Sequence, residues 1–325
     1  MNTFIFTCGD INGIGPEIII KSLNKIYKYP GKRFIVLIPH NIFNLTAEIV
    51  KPEFNYVVIN KPEDLNRDEV IIFDLGKGNQ VLGQVSKEAG KFSYSAIKTS
   101  INLLNDKKAD AVITAPISKT SMHKYGIKFP GHTEIYSEWC GVKDYAMMFL
   151  SAEFNAALVT IHEPIKKVPM LITQKLLKNT IGIVKRTLQS DLAINDPRLA
   201  ILGLNPHAGE SGHIGKEEVK ILKPVIDKLS YCSGPFSPDA FFANRLYKNY
   251  DCVIGMYHDQ LLIPFKMLNF SNGVNYTAGL PIVRTSPDHG TAFDIAGKGI
   301  ADESSMLQAF RYADIIVNNR NKING

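Results

Sequence analysis

The sequence lacks the features that mark several protein classes. Its four cysteines, Cys8, Cys140, Cys232 and Cys252, are far apart and form no CxxC pair. That excludes a disulfide framework and a thiolate zinc site, and leaves them as small buried hydrophobes. No uncharged apolar run approaches the roughly eighteen residues of a membrane helix. The opening MNTFIFTCGD has neither the basic end nor the long apolar stretch of a signal peptide, so a cytoplasmic protein without a membrane partner is expected. No helix carries a basic stripe and no aromatic-basic motif is present, so the formal charge of +6 does not point to nucleic acid. A small anionic partner fits better.

The composition is otherwise that of a globular protein. The chain has 325 residues, 45% hydrophobic and 21% charged, enough for about two domains with cores of their own. Short apolar, β-branched runs recur as TFIFT (3–7), RFIVLI (33–38), VIIFDL (70–75), DAVITA (110–115), AALVTI (156–161), RLAILGLN (198–205), DCVIGMYH (251–258) and PIVRTS (281–286). Continuous runs of this kind suit strands buried on both faces. Helical spacing separates many of them, as from Pro16 to Tyr27 and from Lys175 to Leu188. The fold class expected is α/β, as two α/β/α domains with largely parallel sheets and a cleft between them. No linker marks a boundary. The best breaks, near 116–131 and 264–281, give one domain from 1–120 plus 281–325 and a middle domain from 121–280.

In open α/β sheets, ligands bind beyond the carboxyl ends of the strands. His162, His207 and His258 are each the first imidazole after a predicted strand. Three imidazoles in equivalent positions suggest an open, catalytic divalent-metal site, although each alone is more simply a strand-end or core histidine. His207 lies in GLNPHAGESGH (203–213) with Glu210 and His213 nearby, and His213 remains an alternative ligand. Asp259 stands beside His258 in YHDQ (257–260), where a carboxylate can orient an imidazole.

A cationic set, Lys266, Arg284 and Lys119, together with His132, Thr133 and Asn275, suits a carboxylate or phosphate. The loop DHGTAFDIAGKGIAD (288–302) interleaves Gly290, Gly297 and Gly299 with His289, Thr291, Asp294 and Asp302, and is polar enough to wrap a nucleotide. By contrast, GDINGIGPE (9–17) spells neither GxGxxG nor a P-loop, and its glycines fit a tight strand-to-helix turn.

The order of GDxxGIGPE, TAPISK, GHTE, His162, GLNPHAGExGHxG, YHDQ and LPIVRTSPDHGTAFDIAGKG resembles the 4-hydroxythreonine-4-phosphate dehydrogenase family of vitamin B6 biosynthesis. The likeness runs from about residue 7 to 310. Its final loop is also similar to that of isopropylmalate and isocitrate dehydrogenases, which implies their kind of fold.

The resemblance implies NAD- or NADP-dependent oxidation of 4-phosphooxy-L-threonine, with a divalent ion such as zinc, magnesium or cobalt. It implies His162, His207 and His258 as metal ligands, and His132, Thr133, Lys266, Asn275 and Arg284 as substrate contacts. His289, Gly290, Thr291, Asp294 and Asp302 would face the nucleotide. Lys266 and Asp259 are the candidates for proton transfer. A homodimer sharing its metal site across the interface is implied as well. This chain departs from the family at Ile11 and Asn12, where Pro and a small residue are common, and Asp302 replaces the Asn of the isopropylmalate enzymes. A relative acting on four-carbon sugar acid phosphates, a metal-dependent hydrolase or acyl-phosphate transferase, and a non-catalytic phosphometabolite-binding protein are the competing expectations.

Overall fold

The structure, a computed structural model, describes residues 1–65, 70–129, 131–269 and 272–324. In chain order its strands are β1 (Asn2–Thr7), β2 (Lys32–Ile38), β3 (Tyr56–Ile59), β4 (Val70–Asp74), β5 (Ala111–Thr114), β6 (Ala146–Leu150), β7 (Ala156–Leu158), β8 (Leu199–Leu202), β9 (Cys232–Phe236), β10 (Cys252–Gly255), β11 (Val274–Ala278) and β12 (Val283–Pro287). The helices are α1 (Gly15–Ile26), α2 (His40–Ile49), α3 (Lys87–Asn105), α4 (Lys119–Tyr125), α5 (His132–Trp139), α6 (Val168–Leu171), α7 (Gln174–Ser190), α8 (Lys223–Ile226), α9 (Pro238–Ala243), α10 (His258–Asn269) and α11 (Ser304–Asn324). The α/β class with largely parallel sheet is as the buried runs and their alternation with helices required. Every run singled out in the sequence contains a strand. Four strands lay outside those runs: β3, with only four residues; β6, AMMFL, with no β-branched residue; β9, CSGPF, with glycine and proline; and β11.

Contacts divide the chain into two compact units, Met1–Gly141 with Pro281–Val317, and Val142–Leu280 with Asn318–Gly325. The first unit reaches Gly141, beyond the boundary at 120 drawn from sequence, because α4 and α5 lie on α3. Gly90 of α3 leaves room for the Ser121 carbonyl that any Cβ would strike, and Tyr136 of α5 shares a 2.7 Å hydrogen bond with Ser100 of α3. The end of α11 belongs with the second unit because it is tied to buried Asp191. Arg320 Nε donates to its carboxylate at 2.8 Å and Asn319 Nδ2 to its carbonyl at 2.9 Å.

In the first unit the strand order is β3-β4-β2-β1-β5-β12, with every pairing parallel. Phe4 and Phe6 of β1, Phe34 of β2 and Phe310 of α11 are buried together, the Phe4 and Phe310 rings meeting edge to face at 5.0 Å. The departure at Asn12 has a visible use. Its amide donates to Gln84 O (2.7 Å) and Ser86 Oγ (3.1 Å) and accepts from Val81 N (2.9 Å), fastening the segment that leads into α3.

In the second unit the order is β11-β6-β7-β10-β8-β9. β6 runs antiparallel to both β11 and β7; β7, β10, β8 and β9 are parallel. Its core gathers Phe149, Phe154, Leu158, Phe241, Tyr247 and Phe265. Among the described residues no helix is long and apolar enough to cross a membrane.

Replacing Phe310 by Ala removes a fully buried ring that meets four others, Phe4, Phe6, Tyr29 and Phe34. The expected loss is about 3–5 kcal/mol of unfolding free energy in a denaturant titration; a loss under about 1 kcal/mol contradicts this account of the core.

Candidate active site

The register of three parallel strands determines where the chemistry of the second unit lies. Leu158 of β7 pairs with Gly255 of β10, and the ladder runs on through Val159 N to Gly255 O (2.9 Å) and Thr160 N to Met256 O (3.2 Å). His162 and His258 leave these strand ends a few residues later, and their ring centroids are 5.8 Å apart. Asp259 fixes one of the pair: His258 Nδ1 lies 2.7 Å from Asp259 Oδ1. A donating Nδ1–H leaves the Nε2 lone pair for a cation.

β8 pairs with β10 on its other side, Ile201 opposite Ile254, so the loop that carries His207 leaves the same sheet edge. His207 lines a cavity of about 590 Å³ together with Asn205, Asp239, Tyr257, Asp259 and Met267. Asp239 is held below the usual carboxylate range, first by the Ser237 hydroxyl at 2.6 Å and in smaller part by His207. The turn from His207 to Ser211 is left-handed, with φ between 43° and 78° throughout.

The three imidazoles do not close into one cluster in this chain. Among the described residues no three His, Cys, Asp or Glu side chains stand as a metal-ligand set. Two imidazoles at the observed separation, one oriented by a carboxylate, nevertheless suit a shared divalent ion as part of its donor set. His213 and Glu210 are exposed on the far part of the same turn. Of the remaining second-unit candidates, Lys266 is an exposed residue near the end of α10, and half-buried Asn275 pairs with Phe149 across β11 and β6.

In the first unit Arg284, on β12, is only 3% exposed. Its Nε and an Nη both donate to Thr114 Oγ1 on neighbouring β5, at 3.1 and 2.7 Å. Burial pushes the guanidinium pKa down to about 10, with Tyr136 and Glu134 acting in the opposite sense. His132 opens α5 beside it, followed by buried Thr133, and stacks on Tyr136 one turn later with centroids 6.5 Å apart. His132 Nε2 is sealed from solvent with no hydrogen-bond partner among the described residues. Burial, and then the charge of Arg284, hold its pKa well below 6.5. A sealed cation beside a neutral imidazole nitrogen lacking a partner is a place for an anionic or hydrogen-bonding ligand. Lys119 opens α4 and is exposed.

The loop 288–302 is gripped by the N-terminal motif. Ile14 N donates to Thr291 O at 3.0 Å, and a Cβ on Gly13 would lie 2.8 Å from that same oxygen. Glu17 accepts from Ala301 N at 2.8 Å and pairs with Lys21, which also donates to Gly299 O at 2.9 Å and Ala301 O at 2.6 Å. Gly13 thus serves close approach to the loop. Within it, the space beside Gly290 is open, and His289 Nδ1 lies 3.0 Å from Gly290 O with its Nε2 sealed. Asp294 is exposed. Asp302 accepts from Ser304 N at 2.9 Å, and Ser304 holds its carboxylate below the usual range at the start of α11. Sequence reasoning missed Thr114, Glu17, Lys21 and Asp239. Glu17 lies in GDINGIGPE and Thr114 opens TAPISK, both singled out as motifs, and no motif marks Lys21 or Asp239.

Comparisons with known proteins identify the family. The family model described as "Pyridoxal phosphate biosynthetic protein PdxA" matches residues 31–313. The chain belongs to this family. It is 38% identical to the 4-hydroxythreonine-4-phosphate dehydrogenase of a Sulfurihydrogenibium species, over 95% of this chain and 97% of that one. The crystal structure of the enzyme of that name from Klebsiella pneumoniae matches with a TM-score of 0.83 and 32% identity, covering 98% of this chain and 100% of that one. A third relative, from Oceanobacillus iheyensis, is 37% identical over 94% of this chain and 95% of its own length, and is named "Putative D-threonate 4-phosphate dehydrogenase".

Two outcomes follow for this PdxA-family chain. Neutral His132 stabilises the fold above its unfolded pKa near 6.5, and that contribution is lost as pH falls below it, because the unfolded chain takes up the proton first. Melting temperature should therefore fall more steeply below that pH in the wild type than in His132→Gln; parallel curves contradict it. Thr114→Val keeps the shape and removes an acceptor from a buried guanidinium. It should cost about 1–3 kcal/mol in chemical denaturation, and an unchanged midpoint counts against the role given to Thr114.

Proposed function

We propose that this PdxA-family chain is a cytoplasmic 4-hydroxythreonine-4-phosphate dehydrogenase. It oxidises the secondary hydroxyl of 4-phosphooxy-L-threonine with NAD or NADP, in pyridoxal 5'-phosphate biosynthesis. The hydroxyl carbon gives its hydride to the nicotinamide and the hydroxyl proton goes to a base. The resulting β-keto acid loses CO2, and protonation of the carbon left behind yields 3-amino-2-oxopropyl phosphate. The observation that carries this reading is the His162 and His258 pair, oriented by Asp259 at the carboxyl ends of parallel strands, in a chain with full-length relatives named for that activity.

A divalent ion, zinc, magnesium or cobalt, would supply positive charge that acidifies the hydroxyl and steadies the electrons released by decarboxylation. His162 and His258 are its ligands from this chain. His207 completes the set in a homodimer, where a second copy contributes to each site. Asp259 already accepts from His258, so its part is to orient that imidazole. That leaves Lys266 to take the proton. Arg284, His132 and Thr133 hold anionic and polar groups of the substrate, and Asn275 adds a neutral hydrogen bond. His289, Gly290, Thr291, Asp294 and Asp302 belong to the nucleotide loop, with the open space at Gly290 available to the coenzyme.

The D-threonate-named relative favours a second reading, in which the substrate is a four-carbon acid phosphate without the amino group. A substrate panel separates the two. Reduced-nicotinamide absorbance should rise with 4-phosphooxy-L-threonine and one coenzyme, vanish on chelation and return with metal. Reduction only with the deaminated acid selects the second reading, and no reduction with any panel member defeats both. His207→Ala should lose metal affinity and activity together; full metal content with wild-type turnover removes His207 from the site.

A further inference from the structure

We infer that Glu218 is a positioning residue for the metal site, its buried carboxylate holding the left-handed turn on which His207 stands. This inference rests on the reading of His207 as a metal ligand. The backbone of that turn is unusual. His207 (φ 52, ψ 29), Ala208 (49, 42), Gly209 (78, 3), Glu210 (43, 56) and Ser211 (55, 26) follow one another in the left-handed region, and Gly212 extends it with φ 95. Residues with a Cβ visit this region singly and rarely, because the side chain crowds the following carbonyl. Four of these five carry one. A run of this kind persists only where its surroundings over-determine it.

Those surroundings converge on one carboxylate. Glu218 is 2% exposed and opens the π-helical turn Glu218–Leu222. Its Oε1 accepts from Leu204 N at 2.8 Å and Asn205 N at 2.7 Å, the residues by which the chain enters the turn. Its Oε2 accepts from Asn205 Nδ2 at 2.9 Å, and the same amide reaches Glu217 at 2.8 Å. The inside of the turn closes on the same group. A Cβ at Gly209 would lie 2.5 Å from Glu218 Oε2, and one at Gly203 would lie 3.3 Å from Oε1 and 2.9 Å from Ala208 Cα. Ile214 N then returns to Gly209 O at 3.0 Å and closes the loop. Segment 203–215 is thus wrapped around the carboxylate, and the bearing of His207 follows from that wrapping.

Glutamine cannot do the same. It offers a single acceptor oxygen, and its NH2 meets the Asn205 amide donor to donor. In the wild-type assembly, Co²⁺ titration read by d–d absorption measures both affinity and ligand geometry, independently of turnover. Glu218→Gln should weaken Co²⁺ binding about tenfold or more and alter the d–d band. It should leave the coenzyme dissociation constant as in the wild type. Wild-type Co²⁺ affinity and an unchanged band in the variant overturn the inference. Weakened Co²⁺ and coenzyme binding in equal measure also overturn it, in favour of a general stabilising role. A wild type that binds no Co²⁺ sinks the metal reading and this inference with it, which is distinguishable from failure of the variant alone. Should Glu218→Gln not fold, Asn205→Ser removes the side-chain donor and keeps both backbone donors. Weaker Co²⁺ binding there supports the role of Glu218, and wild-type binding rejects it.

Discussion

The register between adjacent parallel strands is the constraint from which the candidate chemistry follows. Leu158 sits opposite Gly255 and Ile201 opposite Ile254, and the backbone bonds beyond Leu158 continue to Met256 before the chains part. Side chains a few residues past these pairs therefore emerge at one edge of the sheet. A register slip of one residue would turn each strand's side chains to the opposite face and separate the imidazoles of His162 and His258. The continuous apolar character of β7, β8 and β10 makes such a slip costly on both faces, since every residue of these strands is buried.

The first unit uses burial rather than proximity. Arg284 is driven into the interior on a β-strand, where Thr114 on the neighbouring strand takes two of its N–H groups. The same low-dielectric setting keeps His132 neutral, with the positive charge of Arg284 reinforcing the effect. A ligand with negative charge would be drawn to the buried guanidinium and to the sealed imidazole nitrogen beside it.

Motif and role diverge instructively at the N-terminus. GDINGIGPE has the glycine content of a phosphate loop, yet its Gly13 gives room to Thr291, and its Glu17, with Lys21 just beyond it, holds the carbonyl and N–H groups of 299–301. Asn12, which looked like a local departure from the family pattern, secures the 80–86 segment through three hydrogen bonds. A segment with the glycine content of a nucleotide loop thus shapes the different loop that is proposed to meet the nucleotide.

Much was legible from the sequence alone. The buried runs, the helical spacing between them and the absence of membrane or disulfide signals led to a largely parallel α/β chain, and the motif order led to the PdxA family. These are properties of local periodicity and residue identity, which a linear reading preserves. Strand-end position grouped His162, His207 and His258, but that His162 and His258 are the two that approach each other was not legible, because β10 lies between β7 and β8 in space although it follows both in the chain. Nor was the left-handed bearing of His207, the pairing of Thr114 with Arg284 across 170 residues, or the neutral state of His132. Each depends on which distant groups share a low-dielectric interior, and only the folded chain brings those groups together.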